Sequence, residues 1–506
     1  MKYPDPPECL HFKYLDLNKL SFWQVMKYPR LLYVQSCRES KNTYFCQTFF
    51  QFKNYSMSKL IKIRKGLDIK LKGTAEKIIA QAEPASTYAV KPSDFPGLTP
   101  KLAARPEDKV KAGSVLFFDK LRPEIKFTSP VSGVVRAVNR GERRRILEVV
   151  VESDGKNESL NFKPGDPKSL RPEEVKEKIM EAGLWPAIRQ RPYAVVAKPQ
   201  AEPKAIFISG FDTAPLAPDL DFVVKGQNKE FQAGIDALRK LTPGEIHLSL
   251  NAAYPASDVF TGVQNVSLHY FKGPHPAGLP GIQIHHIDAV NKGDTVWYVG
   301  PQHVIMIGRL FLTGKYDATR IIALAGSEIL KPRYFKLLAG SSIEPLVKDN
   351  LSTTNVRYIS GNALTGTRLN KIGHLGYYDS LITVLPEGDH YEMLGWIAPG
   401  FNKFSLSRSF PAWLTPNRHY RLDTNLQGGV RPFVLTGEYE KVLPMDLYPM
   451  QLLKAILVED IEKMEALGIY EVGEEDFALC EFICPSKIEL QSIIREGINL
   501  MIKELE

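Results

Sequence analysis

The sequence predicts a multidomain chain of mixed α/β class, and three observations carry that prediction. Its 506 residues exceed the roughly 150 of a single domain, which implies about three. Between residues 57 and 152, short apolar runs alternate with turn signals, the pattern of an all-β module. Between residues 171 and 315, strand and helix signals alternate instead, which implies a parallel sheet with covering helices.

Composition narrows the function classes. Apolar residues make up 44% of the chain, enough for sizeable cores. A formal charge of +8, spread along the chain, is too mild for a nucleic-acid stripe, so no nucleic-acid partner is expected. No stretch approaches the roughly 20 apolar residues of a membrane-spanning helix.

Residues 1–56 differ from the rest of the chain. They hold 13 aromatic residues, three of the five cysteines (Cys9, Cys37 and Cys46) and no sustained apolar period, and they lack the apolar core of a signal peptide. The expectation is a disordered extension or an over-extended start, with Met57 opening an alternating strand pattern. A polypeptide beginning at Met57 is then expected to fold and assemble normally.

Within the β module of residues 57–152, residues 106–120 and 125–135 flank a turn at Arg122 and Pro123. Residues 153–170, rich in Gly, Pro, Asn and Asp, read as a linker. Residues 172–180 predict a short helix: Pro172 sits in the first turn, Glu174 faces Lys178, Val175 and Ile179 share a face, and Gly183 stops it. Residues 205–209 read as a buried strand, 229–239 as a helix and 245–250 as a strand. Beyond residue 316, two strands and a helix are expected up to about residue 347, then further short strands through a mixed β segment at 371–441. Helices are expected at 450–464 and 488–503.

Several stretches carry resemblances. The hairpin around Lys120 resembles the barrel-sandwich hybrid of biotinyl and lipoyl carrier domains, whose tip bears a modified lysine. Asp119 and Leu121 depart from the biotinyl flanks, so Lys120 is expected to be an unmodified surface lysine. Residues 181–193 resemble the flavin-binding loop of two related families, the flavoprotein subunit of respiratory complex I and the C subunit of Rnf-type complexes. A loop that cradles a phosphate needs close backbone approach and hence glycine, yet Trp185, Ile188, Arg189 and Arg191 stand in that space. The plain structural alternative is that Trp185 and Tyr193 plug a helix-strand junction. Residues 210–216 resemble the acidic flavin loop of the Rnf protein at Asp212 and Pro215, with Ala214 in place of its second acid. Residues 316–370 resemble the β-grasp soluble-ligand-binding module, and residues 442–506 an iron-sulfur domain stripped to its helices. Leu443 stands at a cysteine position of the first cluster motif, and the second keeps only Cys480 and Cys484, whereas each cubane cluster needs four thiolates.

The Gly-Pro-His-Pro-Ala-Gly run at 273–278 is the most specific signature. With it, the chain from Met57 onward resembles the A subunits of the sodium-translocating NADH:quinone reductases. Its prolines offer no N–H donors to a phosphate, and His275, His285, His286 and His303 show no zinc-ligand spacing, so no metal is expected. The resemblance implies a Rossmann-like domain at 171–315. It also implies a subunit peripheral to the cytoplasmic face of the bacterial inner membrane, docked on membrane subunits of a complex that passes electrons from NADH to quinone and exports sodium. Flavins and iron-sulfur centres would sit on partner subunits and none on this chain, which has no complete catalytic site of its own. Phe95, Gly97, Trp185, Arg189, Arg191 and Tyr193 are the expected border of the quinone headgroup, since such a site needs a flat aromatic surface and one or two donors. A grip of Arg189 on acidic residues of a partner subunit is the competing reading. Two other classes stay open: a free-standing flavin-dependent NADH dehydrogenase, which predicts yellow protein, and a carrier protein, which predicts added mass on Lys120.

Overall fold

The computed structural model describes residues 59–505 apart from 394, 396, 397, 435 and 436. The expectations for residues 1–56 and for Met57 lie outside the described residues.

The N-terminal module is a barrel-sandwich hybrid. Thr87–Val90, Ile146–Ser153, Gly133–Arg140 and Lys109–Val110 form one sheet, and Pro100–Leu102, Val115–Asp119 and Lys126–Thr128 a second. All neighbours run antiparallel. Alternation along the strands drives Leu116, Phe127, Val135, Val149 and Val151 into one shared core. Lys120 is exposed at the hairpin tip. That tip is held by Asp119, which pairs with Arg122 at 3.0 Å and accepts the Leu121 N–H at 3.1 Å.

The second layer is a seven-stranded sheet. Lys59–Lys62, Ser267–Lys272, Glu245–Asn251, Ala205–Ser209 and Val296–Val299 lie side by side in parallel, and Ile188–Arg191 and Val195–Val196 extend it antiparallel. Near-continuous burial of Ala205–Ser209 and Val296–Val299 is what a sheet covered on both faces demands. The strand Lys59–Lys62, expected in the first β module, instead edges this sheet, pairing with Ser267–Lys272.

The third layer is a mixed six-stranded sheet centred on Thr319–Ala325. Its outer strand Glu76–Ala80 also comes from the region expected to form the first module. Leu381–Pro386, expected in the segment after 370, pairs inside this sheet with Thr319–Ala325 and Val356–Ser360. All six of its residues are buried. From there to the C-terminal helices the described residues hold no further strand, only single 3-10 turns such as Pro411–Leu414. Gly400, Pro411, Pro416, Gly428, Gly429 and Pro432 punctuate the stretch.

The C-terminal segment packs Pro449–Leu457, Ile461–Ala466, Ala478–Ile483 and Leu490–Leu505 around Leu453, Met464, Leu479 and Ile494. The helix expected over 450–464 is broken in two. Glu459 takes a left-handed φ of 56°, and the Asp460 side chain accepts the Lys463 N–H at 3.1 Å, starting a new helix.

Candidate functional site

The loop between helix Pro172–Glu181 and strand Ile188–Arg191 positions the site. Gly183 leaves the helix at φ 69°, and a Cβ there would lie 2.3 Å from Thr128 Cγ2, so only glycine lets this helix end press on the first module. Trp185, Pro186 and Ala187 then form one buried turn. The Trp185 indole N–H donates to Ala197 O at 2.7 Å, and its ring meets Trp297 edge-on at 5.4 Å. Trp185 and its neighbours therefore fill the helix-strand junction.

Residues 189 and 191 share one face of their strand because side chains alternate. Opposite them, Tyr298 lies between the two guanidinium groups, its ring 4.5 Å from Arg189 Cζ and 5.8 Å from Arg191 Cζ. Arg189 has a second aromatic neighbour: the Tyr378 ring stands 4.5 Å from its Cζ. Tyr378 is fixed at both ends, since its hydroxyl donates to Pro186 O at 2.6 Å and its carbonyl accepts from Arg320 Nη2 at 3.3 Å. Phe95 is buried against Tyr378 at 5.7 Å, Tyr377 at 5.0 Å and Phe127 at 4.5 Å. Each of the three β layers thus gives a side chain to one seam.

Within that seam Arg189 is only partly buried. Among the described residues its guanidinium makes no hydrogen bond or ion pair. The Tyr298 hydroxyl is buried and likewise finds no partner there. Burial pushes its pKa up to about 12, so it stays a neutral donor. A buried donor without an acceptor costs about 1–3 kcal/mol, which makes the pair a poised donor set. Beside it, the Asp94 carboxyl is pushed up to about 6 by burial, against the pull of Lys91, and accepts the Tyr377 N–H at 2.8 Å.

Arg191 has another role. It is fully buried, and its Nη2 sits 3.0 Å from Glu475 and 3.1 Å from Asp476. Gly473 allows this approach: a Cβ there would stand 2.5 Å from Arg191 Nη1. Burial opposes the charges, yet Arg191 holds Glu475 below its ordinary range, while Asp476 is lifted to about 6 by burial. Tyr193, at φ 83°, faces Tyr470 at 6.3 Å and accepts at its carbonyl from Arg495 at 3.0 Å. Arg191 and Tyr193 therefore bind the C-terminal helices. Arg191, expected at the ligand border, here turns Nη2 to the two carboxylates and Nη1 to the Glu471 carbonyl at 3.4 Å. Trp185, expected at the same border, is fully buried. Gly97 takes a left-handed φ of 77° beside Val195 and lets the loop of Phe95 turn back.

The carboxyl ends of the parallel strands, where open α/β sheets bind ligands, form a cleft of about 530 Å³ lined by Asp68, Asp212, Asn251, Tyr254 and Lys272 among others. The 273–278 run closes one side. The His275 N–H donates to Asp68 at 2.9 Å, and its ring meets the Thr213 hydroxyl at 3.1 Å. Burial pulls the His275 pKa down to about 4, leaving a neutral structural imidazole. Among the described residues, no three His, Cys, Asp or Glu converge as metal ligands. The cysteine remnants do not fit a cluster either. Leu443, Cys480 and Cys484 are buried in the C-terminal core, the Cys484 thiol 3.0 Å from the Tyr439 hydroxyl, and burial raises the Cys480 thiol far above its ordinary range.

Of the residues expected at the site, Phe95 and Arg189 are brought together through Tyr378. Tyr298, Tyr377 and Tyr378 join them in the seam without having been expected there. The one available signal was the tyrosine doublet itself, set in a loop between strands.

Three family descriptions match: the NqrA N-terminal barrel-sandwich hybrid domain over residues 61–154, the NqrA second alpha/beta domain over 170–316, and the NQRA C-terminal domain over 321–371. Among curated proteins, the A subunit of the Na(+)-translocating NADH-quinone reductase of Rhodopirellula baltica is 39% identical over 452 residues, covering 88% of this chain and 98% of its own length. Those of Hahella chejuensis and Vibrio atlanticus are 38% and 39% identical, each over 88% of this chain and 100% of theirs. Among solved structures, an NAD+-reducing NiFe hydrogenase in its H2-reduced state aligns with 67% of this chain and 64% of its own at 11% identity, TM-score 0.37.

Proposed function

The chain belongs to the family of A subunits of the Na(+)-translocating NADH-quinone reductases, and from that premise we propose that it is a peripheral subunit that binds no redox cofactor and helps shape the quinone site of that complex. One observation carries the quinone reading: the partly buried Arg189 guanidinium, stacked between Tyr298 and Tyr378 with its donors unused among the described residues. A quinone headgroup needs a flat aromatic wall and donors for its carbonyls. Arg189 and the Tyr298 hydroxyl supply the donors, and Tyr378 backed by Phe95 supplies the wall. Gly97 shapes the loop that carries Phe95. Trp185, Arg191 and Tyr193 support the border from behind, through the filled junction and the clamp on the C-terminal helices.

The same reading takes the seven-stranded layer as Rossmann-like, the six-stranded layer as a β-grasp module and the last four helices as what remains of an iron-sulfur domain. It places the chain on the cytoplasmic face of the inner membrane, against the membrane subunits. Flavins and iron-sulfur centres then belong to partner subunits. Among the described residues no helix is long and apolar enough to cross a membrane, which supports a peripheral position.

The test is kinetic. In the reassembled complex, Arg189→Ala removes one hydrogen bond to a neutral carbonyl. The apparent affinity for quinone should fall about three- to tenfold, with NADH oxidation by a soluble electron acceptor unchanged. An unaltered quinone dependence removes Arg189 from the site. A failure to assemble moves it to a subunit interface.

A further inference from the structure

We propose that residues 398–422 form a membrane-contact loop that seats on an anionic phospholipid bilayer, a surface independent of the Arg189 seam. At its outer side, Phe401, Trp413 and Leu414 are 66%, 54% and 62% exposed. This exposure does not come from a loose chain, because the loop is fastened from beneath. Tyr420 is buried, its N–H donates to Lys70 O at 2.8 Å, and its carbonyl accepts the Lys72 N–H at 2.9 Å. Phe404 packs on Tyr420 at 5.7 Å and reaches Phe482 of the C-terminal helices at 6.3 Å. Arg418 donates to Phe401 O at 2.8 Å, which ties the Phe401 turn to the turn after Leu414. Large apolar side chains held outward on a fastened loop mark a contact surface.

Charge selects the occupant. Residues 398–422 contain four Lys or Arg and no Asp or Glu. Lys403 is paired with Glu392 and Arg421 with Glu328. Arg408, Arg418 and the neighbouring Lys72 remain exposed, and the Arg408 guanidinium lies 5.6 Å from the Trp413 ring. Tryptophan and phenylalanine settle at the headgroup level of a bilayer, and basic side chains beside them reach anionic headgroups. The outward charges of this loop are all of one sign, which together with the exposed Trp413 and Phe401 fits an anionic headgroup layer.

The experiment floats the full chain with vesicles of phosphatidylcholine alone and of equal parts phosphatidylcholine and phosphatidylglycerol. The expected result is salt-sensitive binding to the mixed vesicles only, with a blue-shifted tryptophan emission that Trp413→Phe removes. Replacing Phe401, Trp413 and Leu414 together by Ser should weaken binding at least about tenfold. Arg408→Glu with Lys72→Glu should weaken it comparably, since each basic residue near the surface contributes roughly fivefold. Should the triple variant lose cooperative melting, the charge-reversal pair decides alone. Absence of binding to mixed vesicles at low salt overturns the proposal, as does undiminished binding by a folded variant. Variants that keep lipid binding but no longer join the other subunits would assign the surface to a protein partner and overturn it too.

Discussion

Arg189 and Arg191 stand two residues apart on one strand face, yet their surroundings predict opposite mutational signatures. Arg191 is wholly buried between Glu475 and Asp476, so Arg191→Ala leaves carboxylates without their cation and should cost about 3–5 kcal/mol, read as a lowered denaturant midpoint. Arg189 has only ring contacts, worth roughly 0.5–1 kcal/mol each. Arg189→Ala should lower the midpoint by the equivalent of only about 1–2 kcal/mol for the two contacts while altering quinone dependence. Equal destabilisation by the two would contradict this division of roles. His275 gives a pH signature. Its folded pKa is pulled down to about 4 by burial, against about 6.5 for an unfolded histidine. The unfolded chain therefore binds the extra proton between those values, and stability present above about pH 6.5 is lost as pH falls toward about 4. Asp94 and Asp476, both lifted to about 6, work in the opposite sense, so the effect is read as a difference. His275→Gln should flatten the slope of unfolding free energy in that window by up to about 1.4 kcal/mol per pH unit; parallel curves for variant and parent would refute it.

At the scale of elements, the junction after helix Pro172–Glu181 is the tightest local constraint. Gly183→Ala would force a left-handed non-glycine residue and a Cβ 2.3 Å from Thr128. It should lower stability by about 1–3 kcal/mol without changing the slope of the denaturant curve; an unshifted midpoint would show that the junction yields. That helix was legible in the sequence because its signals are local: Pro172 at its start, the Glu174 and Lys178 spacing, and Gly183 just past its end. Strand Glu245–Asn251 was legible for the same reason. The break at Glu459 was not, since the apolar period runs on through it and only the Asp460 cap marks a new start. Nor could local pattern show that Lys59–Lys62 and Glu76–Ala80 join two different sheets, because pairing partners far along the chain decide it.

For the molecule as a whole, the family was legible and the seam only half so. The 273–278 run and the glycine-poor loop before Ile188 carried the family. The pairing of Arg189 with Tyr298 and Tyr378 depends on how three layers meet, which no local spacing encodes. The same layers bury Trp185 at the junction after its helix and enclose Leu443 in an apolar core with Cys480 and Cys484. The central claim is that this subunit serves the electron path as a scaffold for quinone and carries no centre of its own. Its most direct test is the visible absorption and iron content of the purified chain. A colourless protein with no absorbance beyond its aromatic band and no bound iron is expected; a stoichiometric flavin band, or iron retained through purification, would contradict that role.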